Sequence, residues 1–129
     1  MNTPLLNFDQ PDIGAVLAGL TEAELDELTF GVIGFDSETV VCLYNTFESR
    51  HSGLPRNKVI GNAFFTIVAP CMNNFLVAQR FEEVVATGNA LDETLDYVLT
   101  LRMRPVKVRL RLIAEPACAV RYVLVSRSV

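Results

Sequence analysis

Leu95, Tyr97, Leu99, Leu101 and Met103 follow one another at strict period two, and after Pro105 the pattern resumes at Val106, Val108, Leu110 and Leu112. That spacing puts each set on one face of an extended strand. A further apolar run over residues 119–125 predicts a last strand. Upstream, residues 30–35 and 40–44 flank Asp36-Ser37-Glu38-Thr39, which reads as a hairpin turn. Strands that are apolar on one side need a second layer to cover them.

Helical patterns supply that layer. Residues 76–87 carry Phe81, Val84 and Val85 on one face, and Gly88-Asn89 ends the run. Near the start, Ile13, Val16, Leu17 and Leu20 recur at helical spacing, and Thr21 with Glu24 has capping-box spacing for a second short helix. These turns predict an N-terminal helical cap over residues 1–27, with residues 28–129 as the core of the same domain. Between the hairpin and the later strands, residues 45–57 are polar and irregular, with Ser52-Gly53 and Pro55 as breakers. A short helical turn is expected before Gly61, and Phe64, Phe65, Ile67 and Val68 form an apolar stretch that stops at Pro70. Two strands, several short helices and three more strands give an α+β architecture: an antiparallel sheet with helices segregated to one face.

The 129 residues fit one domain, and 50% hydrophobic with 20% charged residues is a globular balance. No apolar run approaches the ~20 residues of a membrane-spanning helix. Residues 1–10 have no basic flank and do not read as a signal peptide, so a cytoplasmic location is expected. The net charge of −4 works against nucleic-acid binding. Arg102, Arg104, Lys107, Arg109 and Arg111 mostly alternate with apolar residues and read as the wet side of strands rather than a phosphate patch. Three cysteines, Cys42, Cys71 and Cys118, do not suggest a disulfide framework, and with His51 as the one histidine no metal-ligand spacing occurs.

Taken singly, the chemistry-bearing residues have plain readings. A free cysteine such as Cys71 is commonly a small buried hydrophobe. A strand tyrosine such as Tyr44 is usually core, and a loop glutamate such as Glu48 is usually solvated. Read in order, Leu28-Thr29-Phe30-Gly31, Tyr44-Asn45-Thr46-Phe47-Glu48, Val59-Ile60-Gly61-Asn62-Ala63-Phe64-Phe65, Val68-Ala69-Pro70-Cys71, Gly88-Asn89 and Met103-x-Pro105-x-Lys107-Val108 are a specific set. From about Leu28 onward the chain resembles the photoactive yellow protein family, a branch of the PAS fold.

The resemblance implies a five-stranded antiparallel PAS sheet and a blue-light photoreceptor, not an enzyme. It implies p-coumaric acid (4-hydroxycinnamic acid) held as a thioester on Cys71. Tyr44 and Glu48 match the two donors to the chromophore's phenolate, with Ser52 in place of a threonine that supports the tyrosine. Phe64 and Ala69 help to line the pocket. Glu48 donates only when protonated, and burial beside an anion would raise its pKa from about 4.3. Proton transfer after isomerisation would leave an uncompensated buried carboxylate, a cost that would loosen the N-terminal cap and signal to a downstream protein. A monomer or weak dimer without nucleic-acid or membrane partners is expected. Leu54 stands where the family carries an arginine, Leu99 and Leu101 where it carries aromatics, and Tyr122 where a tryptophan is frequent, which predicts altered colour and recovery. The alternative is a non-photosensory PAS module that binds another ligand or a protein. An enzyme built on Cys71 would need His51 as its base, and nothing in the sequence brings the two together.

Overall fold

The structure, a computed structural model of the chain, describes residues 6–100, 105–116 and 118–127. Five strands form one antiparallel sheet: β1 (Gly31–Phe35), β2 (Val41–Tyr44), β3 (Leu91–Leu99), β4 (Val106–Ala114) and β5 (Arg121–Ser126), in the order β2-β1-β5-β4-β3. The longest ladder is the one that period two predicts. It joins β3 to β4 in unbroken register from Leu91 opposite Ala114 to Leu99 opposite Val106. Leu101 and Met103 lie outside the described residues.

The central strands are buried on both faces. In the β1–β5 ladder, Val32 opposite Leu124 belongs to one apolar cluster and Ile33 opposite Val123 to the other. The Ile33 side packs against α4 (Ala78–Thr87) through Ala78, Phe81 and Val84, and a stacked and edge-on set of Phe35, Phe64, Phe65 and Phe81 fills it. Val85, expected on the inward face of α4, is exposed. The helix packs on the narrow 78-81-84 stripe, and position 85 lies about 100° of rotation beyond 84. Gly88, at φ 71°, closes the helix as its composition predicts.

The Val32 side is covered by the N-terminal segment. Ile13 and Leu17 of α1 (Ile13–Ala18) and Leu25 of α2 (Glu22–Asp26) pack there with Leu6, Phe8 and Leu28. The capping box at α2 is formed: Thr21 Oγ1 accepts from Glu24 N–H, and the Glu24 carboxylate accepts from Thr21 N–H.

This cover changes how the basic strand residues are read. Arg111 sits opposite Leu124, on the face the cap covers, and is buried rather than wet. It stays charged because every side of it is partnered. Its guanidinium donates twice to the Asp92 carboxylate at 2.8 Å, and to the carbonyls of Phe8 and Gln10 at 2.9 and 2.7 Å. Arg109 pairs with Asp9 at 3.2 Å and stands over the Phe8 ring, while Lys107 remains exposed as expected. Arg102 and Arg104 lie outside the described residues. Among the described residues no helix is long and apolar enough to cross a membrane.

Candidate functional site

Where the sequence reads as an irregular polar stretch, the chain forms a helix, α3 (Thr46–Ser52). Asn45 caps it: its side-chain oxygen accepts from Glu48 N–H at 3.2 Å and from Val32 N–H at 2.9 Å. The inward face of α3 is Glu48 and Ser52, both polar, so no apolar periodicity marks it.

Tyr44, the last residue of β2, is buried with its hydroxyl 2.7 Å from Ser52 Oγ. Leu54 N–H donates to Ser52 Oγ, and Tyr44 O–H donates to the Leu54 carbonyl, both at 3.2 Å. Either hydroxyl can donate in the short Tyr44–Ser52 pair, and the Leu54 carbonyl is a second, longer acceptor for the tyrosine proton. Burial pushes the Tyr44 phenol up, the Ser52 bond opposes this, and the nearby Glu48 charge adds to the rise.

Glu48 is 2% exposed, not a solvated loop residue. Its Oε2 accepts from Arg127 Nη2 at 2.7 Å, while Oε1 is buried with no hydrogen-bond partner. Burial pushes its carboxyl above the ordinary carboxylate range, and the Arg127 charge and hydrogen bond pull it back. In the fold the Arg127 guanidinium stands against this carboxylate. Oε1 lies on Gly31, where an added Cβ would come within 2.1 Å of it.

Cys71 is in the turn Pro70–Met72, directly after a wide helical turn over Phe64–Val68 that points Phe64, Phe65 and Val68 inward. The cysteine is half-buried and opens on a cavity of about 430 Å³ that it lines with Leu54, Val59, Val68 and Thr100. Phe64 and Ala69 are buried in the same core cluster as Tyr44. Tyr44 and Glu48 do not line that cavity. Leu54 links the two parts, since its side chain borders the cavity and its backbone bonds Tyr44 and Ser52. Cys42 and Cys118 are exposed, and His51 stacks on Phe47 at the surface.

Two contributors were not singled out from the sequence. Tyr97 donates to the Cys71 carbonyl at 2.5 Å and accepts from Asn74 at 2.7 Å, so β3 pins the cysteine turn. Its signal was a tyrosine on the inward side of a period-two strand, whose hydroxyl needs a partner. Arg127 is a lone arginine past the end of β5, and no pattern in the sequence marks it.

No protein-family model matches the chain. It is 34% identical to photoactive yellow protein from Rhodothalassium salexigens over 108 residues, 84% of this chain and 86% of that one. It is 36% identical to photoactive yellow protein from Halochromatium salexigens over 108 residues, with the same coverage. The chain belongs to the photoactive yellow protein family. Among solved structures, the photoactive yellow protein domain of the sensor histidine kinase Ppr from Rhodospirillum centenum matches with a TM-score of 0.78 and 37% identity, over 86% of this chain and 96% of that domain. The fold is the five-stranded PAS sheet that the resemblance implies, and the family's members are photoreceptors rather than enzymes.

Proposed function

We propose that this member of the photoactive yellow protein family is a blue-light sensor carrying a p-coumaroyl group as a thioester on Cys71. The observation that supports this best is Glu48 Oε1, a buried carboxyl oxygen with no partner, on the helix whose Ser52 bonds Tyr44 of the core that Cys71 packs against. Buried polar atoms are nearly always paired, and one that is not calls for a missing group. A phenol or phenolate oxygen at Oε1 satisfies it. Tyr44 would be the second donor by turning its hydroxyl away from the long Leu54 bond, with Ser52 holding the tyrosine oxygen in place.

Cys71 takes up an activated acyl group by attack of its thiolate on the carbonyl carbon, which forms the C–S bond as the activating carboxylate leaves. Phe64 and Ala69 exclude water, and Leu54, apolar where relatives carry arginine, closes the cavity mouth without a charge. The bound group supplies visible absorption and a double bond that isomerises in light. Glu48 would then pass its proton from Oε1 to the phenolate oxygen, and the carboxylate left behind would bear on the first turn of α3, which is bonded to the N-terminal cap. The cap is the element read by a downstream signalling protein. The matched domain from a sensor histidine kinase supports a signalling partner of that kind.

The experiment is incubation of the purified protein with p-coumaric anhydride, followed by intact mass and visible spectrum, with Cys71→Ala as control. Wild type gains one coumaroyl mass and a band that bleaches and recovers under blue light, and the variant gains neither. An unmodified wild-type mass, or an adduct without a reversible band, overturns the reading.

A further inference from the structure

Arg127 follows the last strand, yet its side chain is only 10% exposed, and its Nη2 donates to Glu48 Oε2 at 2.7 Å. A guanidinium keeps its proton at every ordinary pH, so this is a buried positive charge that requires an anion. Glu48 is its one ion-pair partner among the described residues. Among the described residues no second cation pairs with Glu48. β2 brings Tyr44, neutral and bonded to Ser52. β1 brings Gly31, which has no side chain. α2 brings Asp26, whose carboxylate is spent on Thr46 N–H at 2.7 Å.

We propose that Arg127 is the counter-cation of the site and a positioning residue for Glu48: it holds Glu48 as a carboxylate before loading, and after loading balances the one negative charge that Glu48 and the phenol oxygen share. The second half rests on the p-coumaroyl reading, and the first does not. A single proton then belongs to the pair of oxygens. With the proton on Glu48 the phenolate carries the charge, and with the proton on the phenol Glu48 carries it. Arg127 neutralises the site in both cases, so transfer moves the charge without creating a second one. The cation touches Glu48 directly, which favours the carboxylate form of that residue over its acid form.

The test begins with the protein before loading. Infrared and carbon NMR titration of glutamate side chains, with Glu48→Gln to assign the signal, reads the ionisation of Glu48 directly. Wild type is expected to be ionised at neutral pH. In Arg127→Gln the midpoint rises by about 1–3 pH units, the usual effect of a removed adjacent charge, and Arg127→Lys returns most of the shift. A Glu48 that is already protonated at neutral pH in wild type overturns the proposal whether or not any variant folds. So does a midpoint unchanged in a folded Arg127→Gln. In the loaded protein the same substitution should raise the pH midpoint between the phenol-absorbing and phenolate-absorbing forms. Failure to load p-coumarate removes the chromophore reading while leaving the Glu48 titration to decide the role of Arg127.

Discussion

Gly31→Ala tests whether Glu48 lies where the geometry puts it. Gly31 does not need its glycine for a turn, since its φ is not among the positive ones. It needs it for close approach: an added Cβ would sit 2.1 Å from Glu48 Oε1, 3.0 Å from the carboxyl carbon and 3.1 Å from Glu48 Cβ. Ordinary carbon–oxygen contact is about 3.3 Å or more, so the carboxylate must move by roughly 1 Å and give up its 2.7 Å bond to Arg127. Breaking a buried pair costs about 3–5 kcal/mol when the partner stays buried. The displaced carboxylate stays near enough to keep part of its attraction to Arg127, and alanine recovers about 0.4–1 kcal/mol of unfolded-state entropy. The net loss is then about 2 kcal/mol, or ~6–10 °C in Tm for a chain of this size. Urea unfolding of wild type, Gly31→Ala, Glu48→Ala and the double variant isolates the cause. Once Glu48 is alanine the clash with the carboxyl is gone and only the tight 3.1 Å approach to Cβ remains, so most of the loss, about 2 kcal/mol, should appear as coupling between the sites. Equal destabilisation by Gly31→Ala in both backgrounds would refute the placement of Glu48 against β1.

Because burial lifts the Glu48 pKa in the fold above its value of about 4.3 in the unfolded chain, the folded state binds more protons between the two values. The Glu48 contribution to stability is fully present below about pH 4.3 and is lost as pH rises through the folded value. Thermal melts across that range should show this fall in wild type, and Glu48→Gln should remove it; an identical slope in both would mean the carboxyl is not perturbed. Arg111→Met strips two cap carbonyls and Asp92 of their donor. Amide exchange over residues 6–20 should then quicken about 10–100-fold, from about 1.5–3 kcal/mol of charged hydrogen bonding, with the β1–β5 ladder little changed. Uniform acceleration across the sheet would show global destabilisation instead of cap release.

The parts legible in the sequence are those where local pattern and tertiary role agree. Leu95, Tyr97 and Leu99 alternate because their strand is at the sheet edge with one wet face, and Thr21 with Glu24 is a local bond needing no distant partner. The parts that were not legible are those where a distant element reverses the local signal. Arg111 alternates like a solvent-facing residue, but the N-terminal segment, about a hundred positions away, closes over it. Residues 45–57 look irregular because the buried side of α3 is polar and is satisfied by Arg127, Tyr44 and Leu54. Tyr44, Glu48, Ser52 and Cys71 were found through family resemblance, not periodicity, and Arg127 by neither.

The two attachments of the cap differ in what they are connected to. One is the clasp of Arg111 and Asp92 on Phe8 and Gln10, which is anchored in β3 and β4 and, among the described residues, hydrogen-bonds none of Tyr44, Glu48, Ser52 and Cys71. The other is the first turn of α3. There Asn45 donates to the carbonyls of Leu25 and Phe30 at 3.0 Å while accepting from Glu48 N–H, and Asp26 accepts from Thr46 N–H. Glu48 is therefore two hydrogen bonds away from α2, through Asn45. A shift of its carboxylate acts on the same turn that holds α2 against the sheet, whereas the Arg111 clasp feels it only through the packed core. Movement at Glu48 would thus reach the cap first at Leu25 and Asp26, while the turn at Phe8 is held separately by Arg111.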